Sequence, residues 1–163
     1  MKIETVDITT LTCDPANVRK HGDRNMDTLR GSLQRFEQQK PIVVDADGVV
    51  VAGNGTLEAA KALGWDKIKV IRTKLKGTDR TAFSIADNRT AELAEWMPDE
   101  LGTTLAALKA DGVDLDELGF TDKDMAELCG IVPNFAPSSE EEQGKLDEKN
   151  PITCPHCGEI FTP

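Results

Sequence analysis

The chain has 163 residues, a formal net charge of −10, 39% hydrophobic residues and 4 cysteines. That length fits one domain plus a tail, and so few cysteines, two of them isolated, exclude a disulfide scaffold. No apolar run approaches the roughly 18 residues of a membrane span and no basic-then-apolar leader is present, so a soluble, cytoplasmic protein without a membrane partner is expected.

Charge is spread unevenly. Residues 1–80 carry net +3, residues 81–132 net −9 and residues 133–163 net −4. A phosphate-bearing ligand would therefore meet the first half. The acidic segment would be repelled by a nucleic-acid duplex, and suits solvation or a basic partner.

Lys2 to Asp7 reads as a short strand with Ile3, Val6 and Ile8 as its apolar positions. Leu11 to Gly22 is a loop with an Asp14-Pro15-Ala16-Asn17 turn signal, ending in the basic cluster Arg19-Lys20-His21. Arg19 could supply a bidentate phosphate or carboxylate contact, or the cluster could be a solvated loop with a satisfied His21. Asn25 is suited to cap a helix to about Glu37, with Met26, Leu29, Leu33 and Phe36 at helical spacing and Arg24, Arg30, Arg35 and Lys40 on or beside its polar face.

Pro41 to Asp45 and Val49 to Ala52 read as two strands of a hairpin, joined through Ala46-Asp47-Gly48. Their continuous apolar runs predict cover on both faces. The second strand runs into Gly53-Asn54-Gly55-Thr56, which opens a helix ending near Gly64. Such a turn aims free N–H groups and the positive end of the helix dipole at one spot, an anion site; its glycines could equally serve packing alone. Ile68 to Ile71 gives a further strand.

Thr78 or Asp79 can cap a helix towards Leu93 that contains Asp87-Asn88-Arg89. Those three residues are unfavourable in mid-helix by propensity. Together they could hold a metal, a polar ligand group and a phosphate, or form a buried polar cluster pinning helix to loop. Pro98 starts another helix to about Lys109, and Thr121 to Asp124 cap a last one to Leu128.

Residues 133–150 shift to Pro, Ser, Glu, Gln and Lys and are expected to form a disordered linker. The tail, residues 151–163, contains Cys154-Pro155-His156-Cys157-Gly158, the shape of half a zinc ribbon. Zinc held by Cys154 and Cys157 would need completion by a second chain, by Cys13 or by Cys129; without that completion no zinc binds.

Three stretches together resemble the N-terminal domain of the ParB family, which shares its fold with sulfiredoxin: Asp14 to Arg19, the Gly53–Thr56 turn, and Asp87-Asn88-Arg89. The resemblance spans about residues 3–95 and implies a compact mixed α/β domain over residues 1–96. An acidic helical extension over residues 97–132 follows it. The continuation to Trp96 looks like the ParB-like, nuclease-labelled domains of phages and mobile elements. In the family these boxes bind CTP with magnesium. The resemblance thus implies nucleotide contacts from Arg19, Gly53, Asn54, Gly55, Thr56, Asn88 and Arg89. It implies catalytic roles for Asp87 and Asn88, and Mg²⁺ held at Asp87. Expected partners are a nucleoside triphosphate, DNA or a DNA-modifying protein, and a second copy in a homodimer. The sequence departs from the family where Asn54, Gly55 and Thr56 replace a Glu and two Arg of the phosphate loop. Arg19, Arg89 and Lys61 would have to compensate. The turn has no Cys, so sulfiredoxin chemistry is not expected, and no helix-turn-helix is evident after residue 96. A non-catalytic interaction module is the alternative, and DNA nicking by Asp87 and Glu58 a further one.

Overall fold

The computed structural model describes residues 2–128, 152–153 and 160–161. Residues 1–129 form one compact unit and residues 130–163 a second. In chain order the first unit contains β1 (Ile3–Asp7), a 3-10 turn (Ile8–Thr10), α1 (Asp23–Phe36), β2 (Ile42–Val44), β3 (Val50–Ala52) and α2 (Asn54–Ala62). It continues with β4 (Lys67–Arg72), α3 (Gly77–Leu93), α4 (Pro98–Ala110), a second 3-10 turn (Asp116–Leu118) and α5 (Asp122–Leu128). The fold is a mixed α/β domain with a helical extension.

The sheet order is β1-β4-β2-β3. β4 lies antiparallel to β1 and parallel to β2, and β2 and β3 form the antiparallel hairpin. Asp45 builds that hairpin's turn, its Oδ1 accepting from the N–H groups of Asp47 and Val49 at 3.0 and 2.9 Å. Both hairpin strands are largely buried, as their continuous apolar runs imply. Val44, Val50, Leu57, Ile68 and Val70 are almost wholly enclosed. Each such side chain contributes about 1.5–3 kcal/mol by leaving water, so this centre fixes how α2 sits on the sheet.

Two details of α1 differ from the sequence reading. Its N-cap is Gly22, without a side-chain bond, and Asn25 lies inside the first turn, where its Oδ1 is 2.7 Å from His21 Nδ1. Phe36 stays 43% exposed, with the Arg35 guanidinium carbon 5.4 Å from its ring centre. α3 likewise starts after Lys76 rather than at a Thr78 or Asp79 cap.

α1 ends at Glu37 with φ 56° and ψ −168°, a backbone region that only glycine occupies freely. The adjoining Gln38 is the reason the chain tolerates it. Gln38 is buried, donates to the Lys69 carbonyl at 2.8 Å and accepts from the Lys69 N–H at 2.6 Å, filling the place beside β4 before β2 begins. Glu37→Gly is expected to stabilise the fold by about 1 kcal/mol, read as a higher denaturant midpoint at unchanged slope.

The acidic extension meets a basic partner within the same chain: α1. Arg35 pairs with Glu117 at 2.5 Å, and Arg24 pairs with Asp124 and donates to the Gly119 carbonyl at 2.8 Å. Gly31 lies against the same turn, and a Cβ there would make ordinary contact with the Glu117 carbonyl oxygen at 3.6 Å. The α1 arginines are therefore not simply a solvated face. Thr121 and Asp124 cap α5 reciprocally, as the sequence suggests. These bonds to the Thr121 N–H and hydroxyl, followed by Arg24, hold the Asp124 carboxyl below its usual range. A carboxyl lowered in the folded state adds stability above its unfolded pKa and loses it as pH falls through the folded one. Protection of the α5 amides against exchange is thus expected to fall on acidification below the ordinary aspartate range, and Asp124→Asn to remove that dependence.

In the second unit, β5 (Ile152–Thr153) pairs antiparallel with β6 (Ile160–Phe161). Cys129, Cys154 and Cys157, with the zinc reading they carry, lie outside the described residues, as does the linker. No helix among the described residues is long and apolar enough to cross a membrane.

Candidate functional site

The turn between β3 and α2 is the centre of the site. Gly53 caps α2 in the left-handed region, at φ 99° and ψ 29°. A Cβ on it would lie 2.6 Å from Ile42 Cγ2, so glycine is required twice, by conformation and by contact with β2. At Gly55 a Cβ would lie 2.8 Å from His21 Cε1, 2.9 Å from His21 Nε2 and 2.9 Å from Leu29 Cδ1. The packing and anion readings of this turn are therefore not alternatives. Close packing on Ile42, His21 and Leu29 is what shapes the open end of the helix.

The first helical bond runs from Leu57 N–H to the Gly53 carbonyl at 3.0 Å, and the cap has no side-chain bond. The N–H groups of Asn54, Gly55 and Thr56 thus precede the helical ladder. They border a cleft of about 270 Å³ into which Arg19, His21, Lys40, Asp87 and Asn88 also open. Larger clefts exist elsewhere among the described residues; in this one cations, amides and a carboxylate meet a helix N-terminus that no side chain caps.

The sequence-singled residues divide into those brought together and those not. Arg19 stands at the cleft, donating from Nη1 to Glu92 Oε1 at 2.9 Å and to Asn88 Oδ1 at 3.3 Å. Its loop is shaped by Asn17, whose Oδ1 accepts from the Arg19 N–H at 3.2 Å and whose Nδ2 donates to the Arg19 carbonyl at 2.9 Å. Asn88 uses Nδ2 to donate to the Ser84 carbonyl at 2.8 Å. Asp87 and Asn88 point a short polar edge of α3 into the cleft, which accounts for a poor helix former at this position.

Asn54 is buried, and its Oδ1 accepts from the Asp14 N–H at 2.9 Å. Its side chain ties the first loop to the turn, and its backbone faces the cleft. Arg89 is not part of the site: it pairs with Glu92 at 3.2 Å and does not line the cleft. Lys61 is also directed elsewhere, donating to the Leu11 carbonyl at 2.9 Å. Neither replaces the arginines missing from the turn. Lys40 stands there instead and has no ion-pair partner among the described residues.

Sequence reasoning also missed His21 as a wall of the site and Glu92 as the anion on Arg19. The spacing of Asn88 and Glu92, one helical turn apart, was the available signal. Glu58 does not line the cleft; it neighbours Cys13, so Asp87 and Glu58 are not assembled as a pair. Burial, with Glu58 beside it, pushes the Cys13 thiol up, the opposite of what a nucleophilic cysteine needs.

Among the described residues no cluster of three or more His, Cys, Asp or Glu is placed to hold a metal ion. One carboxylate and one amide in a cleft still fit magnesium of the kind that takes most of its ligands from phosphates and water.

No protein-family model matches the chain. The ParB-like nuclease domain-containing protein YnaK of Escherichia coli (strain K12) is 33% identical over 55 residues, which is 34% of this chain. The chain spans 63% of that relative's length. The C-terminally truncated chromosome-partitioning protein ParB from Caulobacter crescentus, complexed with CTP-gamma-S, superimposes with a TM-score of 0.67 at 17% identity, covering 82% of this chain and 81% of that one. Sulfiredoxin from Arabidopsis thaliana gives a TM-score of 0.41 at 23% identity over 51% of this chain and 94% of that one. Coverage of 82% is more than the first 96 of 163 residues could supply, so the likeness in fold extends past β1–α3 into the helical extension. The chain carries an α/β domain with a ParB-like fold.

Proposed function

We propose that this domain binds a nucleoside triphosphate, CTP or another, over the Gly53–Thr56 turn and uses it to control a DNA-related process. The observation that carries the reading is the free α2 N-terminus opening into a cleft faced by Arg19, Lys40, Asp87 and Asn88. Oriented N–H groups and the helix dipole favour phosphate there. Support comes from the CTP-gamma-S complex of the structurally similar ParB and from YnaK's ParB-like domain.

Backbone N–H groups of Gly55 and Thr56 hold phosphate, Arg19 and Lys40 neutralise it, and Asn88 donates or accepts at its edge. Asp87 would hold Mg²⁺, which when bound screens phosphate charge and favours attack by water on the terminal phosphate. A second reading keeps binding without turnover. It is favoured by the engagement of Arg89 and Lys61 outside the cleft, which leaves Arg19, shared with Glu92, and Lys40 as the cations that face the phosphate.

Calorimetric titration with each ribonucleoside triphosphate and Mg²⁺, followed by phosphate release, tests both. Magnesium-dependent binding that drops in Asp87→Ala, with release lost, is expected. Absence of binding at millimolar nucleotide removes the proposal, and binding without release in the unaltered chain selects the module.

A further inference from the structure

One face of the sheet is only half covered. Register places Ile3 of β1 beside Ile71 of β4, and Ile71 beside Val43 of β2, so these side chains form one row across three strands. α3 packs on β3 at the far end of that row. At the β1 end the cover stops, and Ile3 remains 56% exposed.

A cavity of about 590 Å³ lies at this end, where β1 begins and β4 leaves the sheet. Val43, Leu75 and Phe83 supply its apolar floor, and Lys2, Arg72 and Lys74 its rim. Among the described residues no acidic side chain lines it. Arg72 is held by Glu4 at 3.2 Å and by the carbonyls of Asp45 and Ala46 at 3.1 and 3.3 Å. Lys2 and Lys74 have no ion-pair partner among the described residues.

An apolar cavity of this size with a few convergent charges has the character of a ligand site. From its chemistry we infer that it is a docking groove for an acidic segment of a partner protein that inserts a bulky apolar side chain. The cationic rim selects carboxylates and speeds encounter. The concave floor, mainly aliphatic with Phe83 as its one aromatic ring, suits a Leu or Phe side chain rather than a run of stacked bases. Its residues are separate from those of the nucleotide cleft, so the two sites can be altered independently.

The probe is a short fluorescein-labelled peptide alternating Glu and Asp with Leu and Phe, added to the full chain. Its Gln/Asn counterpart and a single-stranded oligothymidine of equal charge serve as comparisons. Saturable binding of the acidic peptide is expected, with amide shifts concentrated at residues 72–75. Affinity should fall about tenfold or more in Lys74→Glu and in Leu75→Ser, both exposed positions outside helices and strands, and in the Gln/Asn peptide. Nucleotide titration should be unchanged in both variants. Three results would overturn the inference: no saturable peptide binding, binding indifferent to both substitutions, or preference for the oligonucleotide. A dimer of the chain that dissociates in Lys74→Glu, with no peptide bound, would assign the groove to a second copy instead.

Discussion

Gly53→Ala is expected to cost about 3 kcal/mol, a large loss for one added methyl group. Two terms act together. The left-handed backbone at φ 99° disfavours any Cβ, and that Cβ would meet Ile42 Cγ2 at 2.6 Å, inside the best-buried part of the sheet. Gly64 separates the terms. It is also left-handed, at φ 73°, but a Cβ there meets nothing within 4 Å. Gly64→Ala should cost only the conformational part, about 1 kcal/mol. The difference between the two denaturant midpoints, at equal slope, measures the contact with β2. Equal losses would show that backbone strain alone explains Gly53. Nucleotide affinity should fall in Gly53→Ala and stay unchanged in Gly64→Ala, because only the first moves the start of α2.

The strands, the hairpin and α2 were legible in the sequence because one rule governs each. Apolar runs bounded by Asp45 to Gly48 and by Gly53 leave little choice of element, and burial then enforces it. Arg19, the turn and Asp87-Asn88 were legible as three stretches, and they do meet at one cleft. What the sequence hid was side-chain commitment. Arg89 and Lys61 carry the right charge but are drawn off by Glu92 and the Leu11 carbonyl. Which cation faces a cleft depends on helix phase and on competing acceptors, and neither follows from adjacency in the chain. The fate of the acidic helices was hidden for a related reason. Their binding surface is α1, far away in sequence, and the pairs that join them, Arg24 with Asp124 and Arg35 with Glu117, bring together residues 100 and 82 positions apart.

Arg19→Ala should weaken nucleotide binding about 10- to 100-fold, the loss expected for a charged hydrogen bond to phosphate. Glu92 sets a second test of opposite sign. It holds Arg19 at 2.9 Å with both side chains close to half exposed, so the ion pair is worth at most about 1 kcal/mol. An arriving phosphate competes with that carboxylate for the same guanidinium, and Glu92 also repels phosphate directly. Glu92→Gln removes both effects while keeping an acceptor of similar shape. Affinity should therefore rise, by about two- to fivefold at low salt, and the gain should shrink as salt screens the charges. A fall in affinity would give Glu92 a different role, that of orienting Arg19 for the ligand. In the double variant, Arg19→Ala with Glu92→Gln, the competition term vanishes and only the smaller direct repulsion is relieved. The gain from Glu92→Gln should thus be smaller in the absence of Arg19 than in its presence, and that inequality, measured by calorimetry at one salt concentration, tests whether the phosphate and Glu92 share the Arg19 guanidinium.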